Sequence, residues 1–596
     1  MADEDAKRPV LHVVVVGFHH QRGSEVEYSL PPLIQGEGNK SSKIPVEWKT
    51  LPFMAMPDGA HNHDSETTYF HLPSLIKTPN SCKQNTLFCV SCCRKIETKE
   101  LKNKTEDITR HTVQKSVCVI SKFPLYGYIQ AKLEVATKVY FEERDFSQVT
   151  ILEELYKNLN SSLSPEIMTD SLLHVGLSPL QLIIQFRQRV LMLFKLLLLE
   201  KKVIFYGYHV MNACSQVLSL VSLLPRVLVN GLGQAALTEQ SNYCYQEHES
   251  DPLYPAHLND NQLNTDQYGF PLAIFTKNSV FHPYLSLQQM DVLKDPKVDS
   301  FVVVVSNALY RQQRPICDVM VDLESGTIEV HQQDLQDVLA LSTADLRFTD
   351  YIVQHVTGHD ENETSETGWD GSEEWIRMQF KVYLLSLLST VSRSDEEEME
   401  NFNSGFISCW KKTHNYAIWN DKKHVGIDEL RSGHPFQGQV GLNDLKIRLS
   451  YAYHDVAAKS MQTEQGRKLG QAVAQTGRAV GGALSTARSF VTSWLSDIAK
   501  DQKQIQEQPS DSDQSAETRD VCETRDDVTR DLTSTEDKES PGSTVIHDKV
   551  SDGNQSEGSR DLKDTYDERT RDLSDTQGTE SGDTRVAETG IKDHVD

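Results

Sequence analysis

No stretch of this chain is an uninterrupted bilayer-length apolar run. The best candidate, Val190 to Leu199, is broken by Lys195 and closed by Glu200, Lys201 and Lys202, whereas a span needs about 20 mostly apolar residues. A buried helix of a soluble domain is the preferred reading, and a single-pass anchor over Val190 to Leu224 is its competitor. Cationic excess is also missing: 60 Lys and Arg face 86 Asp and Glu, giving a net charge of -26. That balance excludes a general affinity for nucleic acid, which rests on cationic contacts to phosphate. Residues 501–596 hold about 12 basic and about 27 acidic residues, so the body is only mildly acidic.

The motifs of covalent and phosphate chemistry are absent. There is no Gly-x-Ser-x-Gly elbow, no Gly-x-x-x-x-Gly-Lys-Ser/Thr loop, and no Gly-x-Gly-x-x-Gly after a strand. Ten cysteines are scattered without a repeated spacing, and Val10 to Val16 is too short for a secretory core, so reduced thiols in the cytosol are expected. Cys89, Cys92 and Cys93, with Cys82, His61 and His63 nearby, offer metal-ligating atoms, but no second Cys-x-x-Cys pairs with them. Cys89 to Arg94 reads instead as a strand in which cysteine is a small apolar filler. His19, His20, His414 and His434 have no acid or nucleophile beside them in the sequence and are expected to be exposed or packing residues. No catalytic residue, cofactor or metal is assigned.

What is present is organised around Gly176 to Leu224. Ser178 and Pro179 mark a helix start. Leu182, Ile183, Phe186, Val190, Leu193, Phe194 and Leu197 then recur at spacings of three and four, with Gln181, Gln185, Gln188 and Lys195 largely on the other side. Val203 to Tyr206 follows as a buried strand, and Val210 to Leu224 as a second helix stopped by Pro225. Helix, buried strand, helix predicts an α/β layer.

Before it, strands are predicted over Val10–Val16, Glu25–Tyr28, Thr67–Leu72, Leu87–Ile96 and Val117–Ser121, with a helix from Ile129 to Phe141. After it come a polar insert (230–267), strands over Tyr268–Thr276 and Phe301–Val305, and a hairpin of Ile316–Val321 with Thr327–Val330. Helices over Ala344–Val356, Glu373–Val391 and Phe402–Thr413 complete an α-rich end.

Residues 464–500 differ in character. Leu469, Val473, Val480, Leu484, Val491, Leu495 and Ile498 form a stripe, with Thr476, Ala487 and Trp494 as intermediate steps, at a mean step of about 3.6 residues. The opposite side is Ser- and Gln-rich and weakly charged. Such a helix inserts into loosely packed lipid by apolar burial more than by charge, so these residues and Trp494 are the candidate membrane-binding set. Five glycines, each costing about 1 kcal/mol of helicity, favour a helix that forms only at the membrane. From 501 to 596 large apolar residues are scarce and a loose Thr-Arg-Asp repeat recurs; the composition predicts disorder.

Several stretches together resemble one family. Val13 to His20, Glu25 to Tyr28, Pro31-Pro32-Leu33, Leu51-Pro52-Phe53, Pro57 to Asn62, Phe186 to Tyr206, Tyr268 to Lys277, Thr367-Gly368-Trp369 and His434 to Gly438 look like the Avl-nine late secretory pathway family, of DENN type. The resemblance implies an α/β chain with a longin-like module (9–150), then a DENN α/β module with an α-rich C-terminal part (151–460). It also implies a cytoplasmic regulator peripherally held on late secretory (Golgi or secretory vesicle) or recycling endosome membranes, with a role in exocytosis, polarity and cell migration. Many DENN proteins are exchange factors for Rab GTPases, so a Rab-class GTPase is the implied partner; a non-enzymatic adaptor or Rab effector is the alternative. No exchange residue transfers by motif. Asp58 and Gly59 match a family turn, for which turn chemistry suffices.

Overall fold

The computed structural model describes residues 8–19, 21–75, 86–104, 110–163, 170–236, 267–276, 278–358 and 370–460. The amphipathic stripe (464–500), the acidic tail (501–596) and 237–266 of the insert lie outside the described residues, as do Cys82 and His20. The apolar run near the start becomes β1 (Val10–His19), longer than expected because the pairing continues through Phe18 and His19. It is antiparallel to β2 (Gly23–Leu30) on one side and to β5 (Thr112–Ser121) on the other. With β3 (Ser65–Pro73) and β4 (Thr86–Glu97) the sheet order is β2-β1-β5-β4-β3.

Both faces of this sheet are covered, which explains why its strands do not alternate cleanly. Thr68 and Ser91 are cross-strand partners, and their hydroxyls donate to Met54 and Ala55 carbonyls in the short helix α1 (Leu51–Ala55). Thr67 and Tyr69, one residue to either side and so on the opposite face, donate to Glu134 and Gln130 of α2 (Tyr126–Glu142). Next in the chain, α3 (Thr150–Ser162) packs on β1 and β2.

The central stretch folds as helix, strand, helix, with one correction. The apolar period from 182 to 197 reads as a single helix, but α4 (Pro179–Phe186) ends at Arg187, whose φ is +49°, and α5 (Val190–Leu198) restarts after a tight turn. The four-residue step from Phe186 to Val190 spans the break, so periodicity does not reveal it. Ser178 stands at the N-cap position without a capping hydrogen bond. Gln188 and Lys195, expected on the polar side, are buried, because α7 (Thr343–Thr357) lies over them and supplies Asp350 and Asp345 as partners.

β6 (Lys202–Tyr206) is the middle of a second sheet, flanked in parallel by β8 (Ser300–Val305) and β9 (Val319–Asp322). β7 (Ser279–His282) extends the sheet beyond β8, and β10 (Thr327–Val330) pairs with β9 as the expected hairpin. The strand expected over Tyr268–Thr276 does not form. At its start the Tyr268 carbonyl accepts from the Trp419 indole of the C-terminal helices, and further along the bonds are local turns, the Ile274 amide donating to the Leu272 carbonyl and the Ser279 amide to that of Thr276. The helix expected over Phe402–Thr413 is shorter, α9 (Ser404–Trp410). Thr413 instead caps a separate α10 (His414–Asn420).

α8 (Glu373–Arg393) matches its expected span and buries Trp375, Phe380, Tyr383 and Leu387. The single-pass reading of Val190 to Leu224 is overturned. Those residues form α5, sheet strand β6 and α6 (Val210–Val221), and no described helix is long and apolar enough to cross a membrane.

Candidate functional site

The two sheets meet along a seam. α6 starts beside β3 of the first sheet and packs also on β6 and β8 of the second. Among the described residues, at least three groups of side chains cross this seam, each linking residues more than 140 positions apart in the chain.

The first is centred on Asp58. Gly59 takes φ +82°, a left-handed conformation that glycine adopts at little cost, and the turn presents Asp58 to the second sheet. The Asp58 amide donates to the Tyr284 hydroxyl at 2.8 Å, its carboxylate accepts from the Leu287 amide at 2.8 Å, and its carbonyl accepts from the Ser306 hydroxyl at 3.2 Å. Burial raises the carboxyl, with the Leu287 and Tyr284 bonds working against that rise. Turn chemistry therefore accounts for Gly59 but only partly for Asp58, which is a cross-seam fastener.

The second is His71 on β3. Its Nδ1 lies 2.8 Å from the Phe281 carbonyl of β7, and its Nε2 lies 2.6 Å from the Tyr126 hydroxyl. A carbonyl only accepts, so Nδ1 carries the proton and Nε2 accepts from Tyr126. His71 is thus a neutral bridge between edge strands of the two sheets. Burial holds its imidazole well below the ordinary value, as it does that of neighbouring His282.

The third is a cleft of about 510 Å³ at the start of α6. His63, in the turn before β3, and Glu66, on β3, face His209, the residue preceding the first turn of α6. The Glu66 carboxylate is buried, and one oxygen accepts from the Met211 amide at 3.0 Å. It satisfies a helix-start amide that the helix itself leaves open. Its other oxygen lies 3.9 Å from His63 Nε2, and the His63 and His209 rings are 5.0 Å apart.

The buried thiols are poorly suited to act as nucleophiles. Burial raises the Cys89 and Cys92 thiols and pushes Cys93 up to about 12, and it raises the Tyr126 hydroxyl. These groups stay protonated near neutrality. Cys89, Cys92 and Cys93 are buried in β4, as the strand reading expected. The arrangement is suited to holding two sheets together and to binding.

All the expected membrane-binding residues (Leu469, Val473, Val480, Leu484, Val491, Trp494, Leu495 and Ile498) lie outside the described residues. His434, expected without an acid beside it, is fully buried with its Nε2 3.4 Å from Asp345. Sequence alone does not single out His209 or Glu66. Glu66 stands just before the strand expected over Thr67–Leu72, and no local pattern pairs it with a histidine 143 positions later.

The family described as "Transport protein Avl9" matches residues 10–391, a span that contains both sheets and the whole seam. The late secretory pathway protein AVL9 of Saccharomyces cerevisiae is 31% identical over 511 residues, covering 78% of this chain and 65% of that protein. The late secretory pathway protein avl9 of Schizosaccharomyces pombe is 30% identical over 451 residues, covering 72% of this chain and 90% of that protein. The chain thus spans just under two thirds of the length of the budding yeast relative.

Proposed function

The chain belongs to the Avl9 transport protein family, and from that premise we propose that it regulates membrane traffic in the late secretory pathway by acting on a Rab-class GTPase as a guanine nucleotide exchange factor. The observation that carries this reading is the family match across 10–391, together with relatives named for that pathway. In the same reading the first sheet with α2 and α3 is a longin-like module and the second sheet with its C-terminal helices is a DENN module. Exchange needs no covalent machinery. A protein that binds the nucleotide-free GTPase more tightly than the nucleotide-bound form drives GDP out by that difference in affinity. A seam whose polar groups fasten two α/β layers, leaving their outer surfaces for a partner, suits such a task.

The apolar stripe over 464–500 supplies peripheral attachment to the membrane on which the GTPase works. Exocytosis, polarity and cell migration are the processes this activity would serve. Capture of Rab GTPases by the full chain tests the reading. Preference for the nucleotide-free form over the GDP and GTP forms supports exchange, and preference for the GTP form identifies an effector instead.

A further inference from the structure

We propose that His63, Glu66 and His209 bind a divalent transition-metal ion of the zinc class, which ties the start of β3 to the start of α6 across the seam. The ligating atoms of the three residues lie within 4.8 Å of one another. Two imidazoles and one carboxylate are a donor set that suits zinc, cobalt, nickel or copper and is wrong for calcium or magnesium, which take oxygen ligands. Three protein ligands leave a fourth, open position, here directed to the cleft of about 510 Å³.

The geometry needs a small closure. Bonds of about 2.1 Å to a tetrahedral ion require donors nearer together than the 3.9 Å between His63 Nε2 and Glu66 Oε2. His209 is exposed and His63 half-buried, so rotation of the two rings supplies it. Glu66 is already fixed, since its first oxygen is held by the Met211 amide while the second faces His63.

One term opposes the ion. The start of α6 carries the positive end of the helix dipole, which disfavours a cation. The Glu66 carboxylate at that same end offsets it, and Glu134 also lines the cleft, opposed by Arg94.

The test is a titration of the metal-stripped, tag-free full chain with Co²⁺, read by visible absorption, and with Zn²⁺, read by thermal unfolding. We expect one equivalent of Co²⁺ to give ligand-field bands without thiolate charge-transfer absorption, and Zn²⁺ to raise the unfolding temperature with concentration. His209→Ala, at an exposed position, and Glu66→Gln, which keeps an acceptor for Met211, should each weaken Co²⁺ binding at least about tenfold while still unfolding cooperatively. Absence of a saturable band, thiolate absorption at the first equivalent, or undiminished binding in both variants would overturn the proposal.

Discussion

Lys195 Nζ lies 2.6 Å from the Asp345 carboxylate, and both side chains are fully buried. The carboxylate also accepts from the Tyr383 hydroxyl at 2.8 Å, and the ammonium donates to the Phe402 carbonyl at 3.0 Å. Asp345 further completes a capping box at the start of α7, its carboxylate taking the Ser342 amide. Burial alone would raise this carboxyl, but Lys195 and His434 outweigh it and hold it below the usual range. One ion pair thus fixes α5 to α7 and α8.

Removing the cation should leave an uncompensated buried carboxylate. Lys195→Met is expected to cost about 3–5 kcal/mol, read as a shift of the urea midpoint with unchanged slope. Lys195→Met combined with Asp345→Asn should recover part of that loss. A loss under about 1 kcal/mol in the single variant would show that the pair contributes little.

Three buried histidines set a pH dependence. Burial holds His71, His282 and His434 below their ordinary 6.5, His282 down to about 4, with the Asp345 bond working against the shift at His434. His434 Nδ1 accepts from the Phe436 amide, so its proton sits on Nε2 and the ring is neutral. Because the folded values are lower, the unfolded chain binds more protons below the ordinary value, and stability falls with falling pH. The slope is up to about 1.4 kcal/mol per pH unit for each histidine. Urea midpoints should therefore drop from pH 7 to pH 5, and His282→Gln should flatten the drop. Raised carboxyls such as Asp58 act the other way only nearer their own range.

Asp58 should matter as an acceptor more than as a charge. Asp58→Ala leaves the Leu287 amide without its partner and is expected to cost about 1–3 kcal/mol. Asp58→Asn should cost much less. Amide hydrogen exchange at Leu287, accelerated in the alanine variant and near normal in the asparagine variant, checks the assignment.

In the proposed reading, membrane contact rests on the apolar stripe over 464–500. Leu484→Asp with Trp494→Ala should release the full chain from liposomes in a flotation assay, because binding there scales with buried apolar area. Unchanged flotation would place the attachment elsewhere.

The sequence shows most elements of both sheets because their periods are local. The valines of β1, the β-branched run of β6 and the hairpin turn at Ser325-Gly326 announce themselves within a few residues. Lys195 reads as a charge interrupting an apolar run, since its partner lies 150 residues away. Tyr268 to Thr276 has strand composition, yet Trp419 takes the Tyr268 carbonyl and the residues after it close local turns. The seam is legible only as the turn Asp58-Gly59. What Asp58, His71 and Glu66 touch is decided by how the two sheets pack, which no spacing encodes.

Release of fluorescent GDP from a panel of Rab GTPases, in the presence of the full chain and excess unlabelled nucleotide, tests the proposed activity most directly. Accelerated release from at least one Rab, growing with the concentration of the chain, is the expected result. Unaccelerated release from every member, with the protein shown to unfold cooperatively, would contradict it.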